Sequence, residues 1–121
     1  MYHPMKNMNN QEKNTYVRQH ILSALLELMR TQDFASISIQ ALVDAAGVGR
    51  ASFYRNYKSK EDVLRQEAER LMQAWGQEFE AEEHASPNEL LISLLDFYKE
   101  HKEFYLAIHA AGMSDIVLNT I

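Results

Sequence analysis

The chain has no cysteine among its 121 residues, which excludes a disulfide framework and a thiolate metal site. Only 4 glycines and 2 prolines occur, too few for a turn-dense all-β fold, and helices are expected instead. No apolar run approaches the roughly 20 residues that a membrane span needs. The first residues, M-Y-H-P-M-K-N-M-N-N-Q, lack the apolar core of a signal peptide. A cytoplasmic location, without membrane contact, is the expectation. Catalytic arrangements are missing as well. No nucleophile elbow is present, and no set of paired polar groups nominates an enzyme. His84 stands beside Glu82 and Glu83, and His101 stands eight residues before His109. Neither arrangement has the H-x-x-x-H or E-x-x-H spacing of a ligand pair, so no metal or other cofactor is expected.

Hydrophobic residues make up 46% of the chain, enough for the core of one domain or slightly more. The net charge of −5 is unevenly placed. Through Arg65 there are nine Lys and Arg against six Asp and Glu, a net +3. From Gln66 onward there are three against eleven, a net −8. Only the local field at a docking face matters for binding phosphate, so a basic first half can meet DNA while an acidic second half repels it. The acidic half by itself needs no reading beyond solubility.

Helical periodicity organises the chain throughout. Residues 1–10 are polar and expected to be a disordered tail. Val17, Ile21, Leu25, Leu28 and Met29 form one stripe of a first helix, widened by Leu22 and Leu26. Asn10 or Asn14 is the expected cap, and the helix should end near Thr31. Ser38 suits the N-cap of a second helix with Ile39, Leu42, Val43 and Ala46 inward. Gly47 suits its left-handed stop. Val48 would plug the gap to a third helix over 50–56, capped by Gly49, with Phe53 and Tyr57 inward. Ser59 and Asp62 fit a capping box opening a fourth helix. That helix carries Leu64, Ala68, Leu71, Met72, Trp75 and Phe79. Ser86-Pro87-Asn88-Glu89 is a further sharp start. The helix it opens presents Leu90, Leu91, Leu94, Leu95 and Tyr98 as the inward stripe. A sixth helix carries Phe104, Tyr105, Ile108 and Ala111 up to Gly112. Ser114 is the expected cap of a last short helix holding Ile116, Val117 and Leu118.

Residues 38–62 stand out. They read S-I-Q-A-L-V-D-A-A-G-V-G-R-A-S-F-Y-R-N-Y-K-S-K-E-D. No acid interrupts the cations Arg50, Arg55, Lys58 and Lys60 between Asp44 and Glu61, and Tyr54 and Tyr57 lie among them. A short basic and aromatic helix after a glycine turn is what a helix-turn-helix DNA reader needs. The A-G-V turn, the F-Y pair and S-K-E-D-V-L, at these mutual spacings, resemble the DNA-binding domain of TetR-type (tetracycline-repressor-like) transcriptional regulators. The resemblance covers about 15–68. Gly49 stands where Ser or Thr is usual in the family, Ala51 where Gly is frequent, Tyr57 for Phe and Val43 for Ala.

The resemblance implies an all-α protein. A helix-turn-helix domain would span 11–60, and a helical regulatory domain 61–121, with the family's dimer helices not reached. It implies transcription regulation, with repression released by a small molecule as the expected mode. Helix 3 would lie in the major groove. Arg50 would read guanine, and Ala51 would touch a thymine methyl. Ser52, Tyr54 and Asn56 would meet phosphates or base edges, Lys60 a phosphate, and Ser38 and Gln40 the backbone. Arg55 and Lys58 would add field, and Thr15 is a further phosphate candidate. Met72, Trp75, Phe79, Leu94, Tyr98, Tyr105 and His109 would line the site of a small apolar or aromatic ligand, with Phe97 and Phe104 beside them. The implied partners are a palindromic double-stranded operator and, where the dimer helices exist, a second copy.

Blander readings stand beside these. The cations could form an ordinary solvated face, and the later aromatics an ordinary core. A small helical adaptor that kept the fold but no longer binds DNA is the alternative function.

Overall fold

A computed structural model describes residues 7–81 and 86–120. Among the described residues there are seven α-helices, one short 3-10 turn and no strand. The chain is all-α and divides into two compact units, Met1–Val63 and Leu64–Ile121. No helix among the described residues is long and apolar enough to cross a membrane.

The first unit begins with α1, Asn10–Leu28. The cap is Asn9, not Asn10 or Asn14. Its side-chain oxygen accepts the Glu12 N–H at 2.8 Å while its amide donates to the Glu12 carboxylate at 2.9 Å. The acid three residues on thus holds the capping side chain itself, whereas in a capping box it would take the backbone N–H of the cap. The helix ends at Leu28 rather than near Thr31, and turn-type bonds from Arg30, Thr31 and Gln32 close its carbonyls. Val17, Ile21 and Leu25 are its buried face.

A 3-10 turn, Phe34–Ser36, follows. It buries Phe34 and is followed by buried Ile37, two core positions with no helical period to announce them. Helix α2 spans Ile39–Ala46 and α3 spans Arg50–Asn56. Ser38 caps α2 by accepting the Ala41 N–H at 3.0 Å. Gly47 sits at φ 69°, in the left-handed region. From there its N–H reaches the Asp44 carbonyl, and the Val48 N–H reaches the Val43 carbonyl. This is the two-bond Schellman closure that glycine permits. Helix α1 packs on both α2 and α3.

Helix α4, Lys60–Ala81, starts in this unit. The Asp62 N–H donates to Ser59 Oγ, and the Asp62 carboxylate accepts the Lys58 N–H at 3.0 Å. Lys60 turns inward instead of toward solvent. Its Nζ donates to the carbonyls of Phe34 and Ile37, the latter at 2.9 Å. It also lies 4.6 Å from the Phe34 ring centre. The ammonium thus ties the start of α4 to the 3-10 turn.

The second unit holds the rest of α4 and three further helices: α5, Pro87–Glu100; α6, Lys102–Ala110; and α7, Asp115–Thr120. Ser86 caps α5 with Pro87 in the first turn. Gly112, at φ 72°, repeats the left-handed stop after α6. Phe97, Phe104, Ile108 and Ile116 are buried. The inward stripe expected for α5 is corrected. Of the expected stripe, Leu90, Leu91 and Leu95 are 39%, 56% and 59% exposed and Leu94 and Tyr98 half-buried, while Phe97 is the buried residue. Apolar residues surround α5 on more than one side, so spacing alone fits more than one inward face. Rings packing around Phe97 decide it. Ser114 immediately precedes α7, and its hydroxyl pairs with His109 Nδ1 at 3.0 Å. The acidic run around His84 lies outside the described residues.

Two stability outcomes follow from this packing. Phe53 is fully buried, and Phe53→Ala is expected to cost about 3–5 kcal/mol in urea unfolding. Lys60→Met keeps the apolar stem but removes the donor to two carbonyls. A loss of about 1–3 kcal/mol is expected; an unchanged unfolding midpoint would show that the tie contributes nothing.

Candidate nucleic-acid interface

Helix α3 is seven residues long, below the length at which a helix persists alone. Its place is set by burial. Phe53 is 0% exposed and Tyr57 6%, their ring centres 5.6 Å apart. With these two directed inward, helical spacing turns Ala51 and Arg55 to the opposite side; Tyr54 flanks the buried face, Arg50 stands in the first turn one turn before Phe53, and all four are exposed. Tyr54 lies edge-on to Phe53 at 5.2 Å. Lys58 is exposed just beyond the helix, and Ser52 is half-buried. Three cations and a phenol are therefore exposed within one short stretch of the helix-turn-helix.

Polar ties fix that surface at both ends. At the start of α3, Arg50 Nη1 donates to Gln40 Oε1 at 3.2 Å. Gln40 Nε2 in turn donates to Asp44 Oδ1 at 2.8 Å. The Arg50 guanidinium also lies 5.8 Å from the Tyr54 ring centre. At the far end, Asn56 donates to the Ser52 carbonyl at 2.9 Å and accepts from Arg18 Nε at 3.1 Å. Arg18 was not among the residues singled out by sequence. It is an exposed cation of α1, brought to α3 across 38 positions of sequence, and no local motif marks it.

The sequence-derived candidates thus separate. Arg50, Ala51, Tyr54, Arg55 and Lys58 are exposed. Arg55 Nε folds back on the Ala51 carbonyl at 3.4 Å. Ser38 is occupied as a cap and Gln40 as a bridge. The Asn56 amide faces its own helix and Arg18. Lys60, expected to meet a phosphate, has its ammonium on two carbonyls. Thr15 donates to the Gln11 carbonyl at 3.0 Å.

The aromatic candidates of the second unit are brought together around Phe97. Its ring lies 6.3 Å from Trp75, 5.3 Å from Tyr98, 5.0 Å from His101 and 6.0 Å from Tyr105. Trp75 stacks on Phe79 at 5.5 Å and donates to Ser93 Oγ at 2.9 Å. Tyr98 and Tyr105 meet edge-on at 4.7 Å. Met72 is buried and Leu94 half-buried. His109 is exposed and engaged with Ser114. Among the described residues no group of three His, Asp or Glu converges as metal ligands.

The Tyr98 and Tyr105 hydroxyls are shielded from solvent and find no hydrogen-bond partner among the described residues. Burial pushes Tyr105 from 10.0 up to about 12, with Tyr98 and Glu67 adding to the rise. Burial raises Tyr98 as well. The folded state holds the Tyr105 proton more tightly than the unfolded chain does. Its contribution to stability is therefore complete below pH 10 and is lost as pH climbs through about 12. A tyrosinate absorbance titration should show a late component that Tyr105→Phe removes. An unchanged titration in that variant would contradict the assignment.

Residues 21–66 match the family described as bacterial regulatory proteins, tetR family. No curated protein and no solved structure matches the chain significantly. The matched span takes in the last part of α1, the whole helix-turn-helix and the start of α4. Over residues 21–66, the span that holds the helix-turn-helix, the chain is similar to the tetR family of bacterial regulatory proteins.

Proposed function

We propose that the chain is a sequence-specific transcription regulator of the repressor type, released by a small molecule. The observation that carries the DNA side is the outward surface of α3. Arg50, Ala51, Tyr54 and Arg55 are exposed on a helix that Phe53 and Tyr57 hold in place. A helix of this kind enters the major groove, where arginine reads guanine O6 and N7 bidentately. Arg50 has that role. Ala51 meets a thymine methyl. Tyr54, Arg55, Lys58 and Ser52 meet phosphates and sugars, which fix register rather than sequence. Two copies reading a palindrome would present their α3 helices about 34–36 Å apart.

The ligand side rests on the Phe97 cluster. Rings at helical spacing supply apolar contact, and the Tyr98 and Tyr105 hydroxyls supply hydrogen-bond capacity that the described residues leave unused. A small aromatic molecule carrying an acceptor suits that combination. Release requires that such a ligand bind the DNA-free and DNA-bound states with different affinity.

Selection of bound sequences from a random DNA pool, followed by anisotropy titrations over a salt series, tests the proposal. Affinity should fall steeply with salt. Arg50→Ala should lose about 1–3 kcal/mol of discrimination at one base pair. Binding without salt dependence, or no binding, would overturn the DNA reading in favour of a helical adaptor. Operator affinity unmoved by every aromatic ligand tried would leave regulation without its ligand arm.

A further inference from the structure

We propose that Gln40 and Asp44 are positioning residues that set the Arg50 guanidinium for base reading, an inference that rests on the DNA-binding reading above. The tether has two links. Asp44 accepts from Gln40 Nε2 at 2.8 Å, and Gln40 Oε1 accepts from Arg50 Nη1 at 3.2 Å. Gln40 and Asp44 stand one turn apart on α2 while Arg50 opens α3. The tether therefore crosses from one helix of the motif to the other. On the other side the guanidinium rests near the Tyr54 ring at 5.8 Å.

Donor and acceptor chemistry gives this arrangement a direction. A guanidinium only donates and a carboxylate only accepts. A primary amide has one end of each kind, so between the two it has a single satisfying orientation. Asp44 fixes the amide, and the amide fixes the arginine. A direct Arg50–Asp44 ion pair would hold the cation more strongly, but it would occupy the fork that guanine needs. The neutral amide takes one donor, leaves the charge in place and competes weakly with base acceptors. Arginine is rich in rotamers, and ordering such a side chain is one of the costs of binding. Part of that ordering is already present before DNA arrives.

This role differs from the backbone grip expected of Gln40 from sequence, and the two are separable. With Gln40 as a positioning residue, Gln40→Ala lowers discrimination at the base pair read by Arg50 by about 3- to 10-fold, the range for ordering one side chain. Affinity for unrelated DNA and the salt slope stay unchanged, because no charge is lost. Asp44→Asn also lowers discrimination, since the new amide can donate as well as accept. Its affinity for unrelated DNA holds or rises, because an acid has left the basic surface. A merely structural role would lower specific and non-specific binding together. On an Arg50→Ala background, Gln40→Ala should have no further effect.

The tether itself is read without DNA. Nitrogen relaxation of the Arg50 Nε–H group in the free protein should show greater mobility in Gln40→Ala and in Asp44→Asn than in wild type. Lys58→Ala serves as the control that leaves it unchanged. Equal Arg50 mobility in all four proteins overturns the tether. Uniform loss of affinity for every sequence in Gln40→Ala, with a shallower salt slope, overturns the positioning role in favour of a phosphate contact. Absence of sequence preference in the wild-type protein overturns the base-reading role together with the reading beneath it. The relaxation series then still decides whether the tether exists.

Discussion

Burial of one phenylalanine governs the geometry of the first unit. Phe53 is fully enclosed, and it belongs to a helix of seven residues that has no independent stability. Everything presented on the outward side of α3 therefore depends on what holds the inward side. Once Phe53 and Tyr57 are directed inward, helical periodicity turns Ala51 and Arg55 to solvent, while Arg50, exposed in the first turn, is held by Gln40 of α2. The basic surface is in this sense a consequence of core packing. A defect in the apolar contact would displace the cations without altering any of them.

Polar side chains then refine what packing sets. Cations that composition presents as equivalent have different tasks. Lys60 ties α4 to the turn at Phe34–Ser36 through backbone carbonyls. Arg50 is held by an amide on α2, and Arg18 by an amide at the end of α3. Each tie uses a group with capacity to spare: an ammonium has three donors and a guanidinium five. The positive charges along 38–62 are therefore not equivalent: Lys60 is engaged with backbone carbonyls, whereas Arg55 and Lys58 are exposed.

The second unit follows another logic. Its interior is aromatic, centred on Phe97, and two phenols within it lack partners among the described residues. Unpaired buried polar groups are costly, and burial raises the pKa of both hydroxyls. Meanwhile Leu91, Ile92 and Leu95 of α5 remain in solvent. Apolar side chains outside and hydroxyls inside are the reverse of the usual distribution. The amphipathic pattern of this unit is therefore a poor guide to its interior.

Features governed by nearest neighbours were legible from residue order alone. Ser38, Gly47 and Ser86 punctuate helices because a cap needs only its own backbone and the next few residues. The span of α3, with Phe53 and Tyr57 facing in, was legible for the same reason. The choice between Asn9 and its neighbours Asn10 and Asn14 required knowing which asparagine stands opposite Glu12. Features that join distant segments were not legible. Arg18 and Asn56 meet across 38 positions, Lys60 finds carbonyls more than 20 residues earlier, and Gln40 reaches Arg50 across the turn. Helix α5 shows the same limit within one element: its apolar residues permit several inward faces, and only the rings of other helices select Phe97. Local backbone chemistry is written in residue order. The partner of a long polar or aromatic side chain is not, because it depends on which surfaces the chain brings together after it folds.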